Sequence, residues 1–135
     1  MSFFRIVVTS LCLSAFCVAL AAAADRNYRE LYYQGVEHNK RGEYADAIKF
    51  YSKAIALKTD SASLFFVRGR AYGQNKEYDK AIRDLGKAIV LKPDYAEAYN
   101  IRGVTYLSTN QRRLAMDDFR KACSMGLGDA CKNLR

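Results

Sequence analysis

The chain has 135 residues, half of them hydrophobic, with 22 Lys and Arg against 14 Asp and Glu for a net charge of +8. That composition suits a folded domain rather than a disordered tail, and the length suits one domain rather than two. The single histidine, His38, excludes a multi-histidine metal site and argues against a histidine-based catalytic triad, while the basic excess favours acidic partners, surfaces or lipids.

Residues 1–24 read as an export signal. Arg5 supplies a positive start, Ile6 to Ala24 carries no charge, and Ala22-Ala23-Ala24 fits the small-x-small rule for cleavage before Asp25. As a membrane anchor the stretch is near the lower length limit and is diluted by Thr9, Ser10 and Ser14. As a lipidation site it has bulky Phe16 where a small residue belongs before Cys17, and no twin-arginine pair occurs. Cleavage leaves 111 residues with a net charge of +7. The expected location is therefore periplasmic or secreted, where disulfides form. A membrane is a partner only if the segment stays uncleaved.

Beyond residue 25 the sequence repeats at an interval of 34. Gly35, Gly69 and Gly103 keep that spacing, as do Ala47, Ala81 and Ala115, and Ala54, Ala88 and Ala122. Larger residues keep it too: Leu31, Phe65 and Tyr99; His38, Tyr72 and Tyr106; Ile48, Ile82 and Met116; Tyr51, Leu85 and Phe119; Leu57, Leu91 and Met125.

Within a unit the spacing is helical, with Leu31, Gly35 and His38 on one face and Ala47, Tyr51 and Ala54 on another. The pattern predicts helix pairs over 28–40 and 44–57, 62–75 and 78–91, and 96–108 and 112–125, with no strands. Gly42 and Asn110 suit a left-handed turn between partners, and Lys76 suits it less. The small slots let two antiparallel helices approach closely. Pro93 closes the second unit and starts the next helix. Gly86, in mid-helix, suggests a close contact with an unspecified neighbour.

The tail, 128–135, is expected to cap the stack with a helix over 129–134, N-capped by Asp129, with Ala130, Cys131 and Leu134 inward and Lys132 and Arg135 outward. Gly126 is placed to end the helix before it. Cys123 and Cys131 are the only cysteines left after cleavage, since Cys12 and Cys17 depart with the signal. An even count in an exported chain predicts a disulfide between them, worth about 2.5 kcal/mol by chain entropy. Two thiolates without a third ligand make no zinc site, and neither a redox C-x-x-C nor a haem C-x-x-C-H motif is present.

The pattern L/F/Y-x-x-x-G-x-x-H/Y followed by A-x-x-x-Y/L/F-x-x-A, closed once by Pro93, resembles the tetratricopeptide repeat family over residues 28–127. The resemblance implies an all-α, right-handed superhelical solenoid of three helix-turn-helix units, about 28–61, 62–95 and 96–127, within a domain over 25–135. The stapled tail is similar to secreted cysteine-rich helical repeat proteins. Departures stand before each glycine, where Gln34, Arg68 and Arg102 replace the usual Leu.

In that fold the first helix of each unit lines a concave groove, which here implies Tyr32, Val36 and Asn39, then Ser63, Phe66, Arg70 and Gly73, then Glu97, Asn100, Val104 and Leu107. Family members that grip a C-terminal carboxylate use Lys and Asn at several of these places. Tyr32, Val36, Val67, Glu97 and Ile101 stand instead, so no such clamp is expected. The expected ligand is a peptide with apolar side chains and one acidic group opposite Arg70, anchored by Tyr32 and Phe66.

Catalysis has no foothold in the pattern. His38 shares a slot with two tyrosines and reads as a core residue. Glu43, Asp46, Asp79, Asp84, Asp117 and Asp118 read as members of solvated helix faces. No phosphate-binding glycine loop, cofactor motif or metal set is visible, and basic residues never run beyond two, which argues against nucleic acid. The function expected is an exported protein-interaction module, an envelope adaptor or assembly factor binding a peptide or partner protein. A self-associating structural protein is the alternative, distinguishable by gel filtration, and a cell-envelope enzyme is the weaker one.

Overall fold

The computed structural model describes residues 2–134, with side chains placed for 17–23 and 25–134. Arg5, Cys12 and most of the apolar run fall outside the described side chains, and residue 135 falls outside altogether. Seven helices follow one another among the described residues: α1 (Ser2–Lys40), α2 (Tyr44–Leu57), α3 (Ala62–Gln74), α4 (Tyr78–Leu91), α5 (Ala96–Ser108), α6 (Arg112–Ser124) and α7 (Gly128–Lys132). No strand occurs among them.

The chain is an all-α solenoid. Neighbours in sequence pack as pairs, α1 on α2, α3 on α4 and α5 on α6, and each pair stacks on the next. α3 also touches α5, so the odd-numbered helices form one layer and the even-numbered helices the other.

The small slots hold the pairs together. Ala47, Ala54, Ala81, Ala88, Ala115 and Ala122 are fully buried. A Cβ built on Gly35 would stand 2.5 Å from the Tyr51 ring, one on Gly103 would stand 2.7 Å from Phe119, and one on Gly69 would stand 2.9 Å from Leu85. All three distances are closer than side chains tolerate, so each glycine is the contact point of its pair. The large slots fill the space around them, with Tyr51, Leu85 and Phe119 buried.

Each pair turns through a Schellman motif. In the first, the Glu43 N–H donates to the His38 carbonyl at 3.0 Å and the Gly42 N–H to Asn39 at 3.1 Å. The same two bonds recur at Glu77 and Lys76 and at Gln111 and Asn110. The left-handed residue is Gly42 at φ 77°, Lys76 at 63° and Asn110 at 60°, again 34 residues apart. Gly126, at φ 89°, ends α6 in the same way.

Several expectations need correction. α1 does not begin near 28; it runs unbroken from Ser2, because no glycine, proline or cap interrupts the alanines, and Asp25 pairs with Arg29 one turn on at 2.9 Å. Pro93 starts no helix; it follows the C-cap Lys92 of α4 and is exposed. α7 is shorter than expected, its N-cap is Leu127, and Asp129 pairs with Lys132 instead of capping. Leu57 is exposed rather than core. His38 is half-buried at the end of α1, stacked on Phe50 with centroids 5.0 Å apart and bonded through Nδ1 to Glu43 at 2.5 Å.

The largest correction concerns Asp84 and Asp118, which are only 8% and 6% exposed. Arg68 grips Asp84 from both sides, Nε donating to Oδ2 at 2.6 Å and Nη2 to Oδ1 at 2.9 Å. Arg102 holds Asp118 identically at 2.8 Å and 2.8 Å. The arginines that replace the usual Leu therefore tie α3 to α4 and α5 to α6. Arg68 also donates to Ser52 of the preceding pair at 3.1 Å. Gly86 occupies the equivalent place before Arg102, and a Cβ there would lie 3.6 Å from Nη1, which identifies the neighbour it faces. Each guanidinium lies between two aromatic rings, Phe65 and Tyr72 for Arg68, Tyr99 and Tyr106 for Arg102.

Candidate functional site

The inner layer offers two clefts. The first, of about 320 Å³, lies between α1 and the start of α3 and takes in Tyr28, Tyr32, Tyr33, Ser61 and Ser63. The second, of about 280 Å³, lies between α3 and α5 and takes in Arg70, Gly73, Ile101, Val104, Thr105 and Ser108, with Tyr78 at one side.

Of the groove positions read from the sequence, Tyr32 and Ser63 thus share one cleft, and Arg70, Gly73 and Val104 share the other. Val104 and Leu107 are 45% and 41% exposed, apolar surface open on the inner side of α5. Val36 instead packs against Ala47, Tyr51 and Ala71. Phe66 packs into the core around Leu85 and Ala88, its ring 4.8 Å from that of Tyr95. Asn39 is half-buried, with Oδ1 unbonded among the described residues. Asn100 accepts a hydrogen bond from Asn133 at 3.1 Å, so the segment after α7 covers it. Glu97 is exposed.

Tyr95 is the residue sequence reasoning missed. It sits on the loop before α5, with Ser61 at the matching place of the preceding unit, so no repeat slot marked it. Its phenol is pushed up by burial, then by Glu97 and Tyr32, with Arg70 pulling the other way. Tyr51 is pushed up to about 12 by burial and by Tyr32, again opposed by Arg70. Arg70 therefore stands within electrostatic reach of a group of tyrosines. It is exposed and makes no ion pair among the described residues, unlike Arg68 and Arg102. For Arg68 burial works against the charge but Asp84 outweighs it; for Arg102 the Asp118 bond outweighs burial; both are held above the ordinary arginine range.

At the C-terminal end Cys123 and Cys131 form a disulfide, Cα atoms 4.8 Å apart, that holds α7 against α6, with Ala130 fully buried beneath it. No group of three or more His, Cys, Asp or Glu is placed to hold a metal among the described residues.

Family models for the TPR repeat match residues 35–76 and 69–110, and one for the tetratricopeptide repeat matches 96–125. The chain belongs to the tetratricopeptide repeat family. Solved structures share its shape, two of those that follow being tetratricopeptide repeat domains. The first such domain of Spaghetti (RPAP3), bound to an HSP90 peptide SRMEEVD, is 25% identical with a TM-score of 0.78, covering 82% of this chain and 89% of that one. The Arabidopsis OM64 domain is 25% identical, TM-score 0.77, over 83% of this chain and 97% of that one. MamA is 29% identical, TM-score 0.72, over 87% and 75%. No curated protein matches this sequence. The tetratricopeptide fold is in general a scaffold for protein interaction rather than a catalyst.

Proposed function

We propose that this chain is an exported peptide-binding module whose inner face holds an extended segment, with apolar side chains against Val104 and Leu107 and one carboxylate on Arg70. The observation that carries the reading is Arg70 itself. The arginines in the slot before the glycine, Arg68 and Arg102, are consumed by buried aspartates, whereas Arg70, with Val36 and Val104 at the matching places of the other units, is exposed in a cleft beside apolar surface. Arginine is a strong carboxylate partner because its fork of donors is rigid. The Spaghetti domain's binding of an acidic peptide supports a peptide reading in general. Tyr32, Val36, Val67, Glu97 and Ile101 argue against gripping a C-terminal carboxylate in the clamp manner.

The test is fluorescence anisotropy with an apolar peptide carrying one internal Glu, its Gln counterpart, and SRMEEVD. Phe66 is unsuitable for substitution, since its ring belongs to the core. Arg70→Glu is expected to weaken the Glu peptide at least about tenfold and the Gln peptide little. SRMEEVD is expected to bind no better than a scrambled control. Equal binding of the Glu peptide by native chain and variant would remove this site from consideration.

Export is part of the proposal. Residues 1–24 are its signal, and the sequencing result that supports it is a mature N-terminus at Asp25. A cellular form that keeps residues 1–24 and stays in the cytosol speaks against it. Within that setting the module is an envelope adaptor or assembly factor, with the disulfide oxidised.

A further inference from the structure

The charge of this domain is not spread over it. The outer helices α2, α4 and α6, counted with their cap residues, carry eleven Lys and Arg and seven Asp and Glu. Two of those seven, Asp84 and Asp118, are neutralised by Arg68 and Arg102. With the two pairs set aside, the outer layer holds eleven bases against five acids. The inner layer, α1 from Asp25, α3 and α5, holds four against four. The excess charge of the folded domain therefore belongs to one face.

That face is ordered as well as basic. Lys53, Lys87 and Lys121 take the same slot of α2, α4 and α6, all three exposed and none in an ion pair among the described residues. Each outer helix packs on the inner helix of the next pair rather than on the next outer helix, so the three cations meet a charged surface separately and their attractions to it add. Lys49 and Arg83 flank it one turn earlier, where the third helix has Asp117, and Lys49 is paired with Asp46. Aliphatic residues stand among these cations: Val90, 72% exposed, between Lys87 and Lys92, with Leu57 beside Lys58 and Leu114 beside Arg113 also exposed. The aromatic residues of the outer helices, Tyr44, Phe50, Tyr51, Tyr78 and Phe119, are instead buried or half-buried.

We infer that the outer face docks on an anionic lipid bilayer. Cations in a row with exposed aliphatics between them match an anionic headgroup layer, which takes charge and a little apolar surface together. Single-stranded nucleic acid would call for exposed rings to stack on, and this face has none among its described residues. The docking leaves the inner layer turned away and does not depend on what binds there.

The experiment is flotation of the full chain with phosphatidylcholine vesicles, with and without phosphatidylglycerol, over a salt series. Binding is expected to require phosphatidylglycerol and to fall with salt. Changing Lys53, Lys87 and Lys121 together to Ala is expected to lower affinity about 100-fold, as each basic residue near an anionic surface contributes about a fivefold factor. Removing the same charge elsewhere, with Arg26, Lys40 and Lys76 changed to Ala, is expected to cost less than about fivefold. Circular dichroism verifies that both variants stay helical. Equal losses in the two triple variants would make net charge, not the face, responsible and overturn the inference. So would equal binding to neutral vesicles, which points to the N-terminal apolar segment. Duplex DNA displacing the vesicles at lower concentration than free phosphatidylglycerol would overturn it in favour of nucleic acid.

Discussion

The first helix pair and the two that follow solve one packing problem with different chemistry. In the second and third pairs, Arg68–Asp84 and Arg102–Asp118 bridge inner and outer helix under aromatic rings. At the matching places the first pair has Gln34 and Phe50. Gln34 bonds to Glu30 on its own helix at 3.2 Å, and Phe50 is covered by the His38 ring. All three pairs nevertheless keep a glycine against a large buried side chain. Shape at the glycine contact thus specifies the pair, and the ionic tie is an addition that a stacked ring can replace.

The largest way to break the comparison is Asp118→Ala. It strands Arg102 in a mostly buried site and should destabilise the fold by about 3 kcal/mol. Changing Arg102 and Asp118 together to Leu should cost no more than about 1 kcal/mol, since a packed apolar pair can stand in for a buried ion pair. Urea denaturation gives both values. A double variant as unstable as the single one would mean the tie is indispensable.

A smaller effect singles out the first pair, which alone has a titratable residue, Tyr51, where the others have Leu85 and Phe119. The buried phenol ionises only at about 12 against an ordinary 10.0. As the pH rises past the ordinary value the unfolded chain loses its proton first, so stability falls. Tyr51→Phe should therefore spare about 1.4 kcal/mol of the decline between about pH 8 and about pH 11, seen as a smaller shift of the urea midpoint.

The smallest effect lies in the turns. Lys76 takes the left-handed place that Gly42 fills in the first pair. Lys76→Gly should raise stability by about 0.5–1 kcal/mol, a rise of a few degrees in Tm.

These contrasts also mark how far the sequence could be read. Slots repeated in three copies located α2 to α6 to within a residue at both ends, and the end of α1, because glycine, alanine and large residues in phase leave little freedom. The start of α1 escaped, since an alanine-rich leader and a first repeat helix share the same local preference. The buried ties escaped because an aspartate on an amphipathic helix looks solvated wherever it stands. A signal was available: Arg and Asp recur sixteen residues apart in two of the three units. Counting from the glycines singled out Arg70, Gly73 and Val104, which line one cleft. It could not foresee that Phe66 turns onto Tyr95, or that Asn133 covers Asn100, since both partners lie off the repeat.

Contacts that reach only neighbouring pairs have a mechanical consequence. Pulled by its ends, the solenoid has no strand or helix spanning its length to share the load, so it would lengthen pair by pair. Each step releases one 34-residue unit, about 110–120 Å of contour. The bond between Cys123 and Cys131 keeps the far end from paying out its last turn.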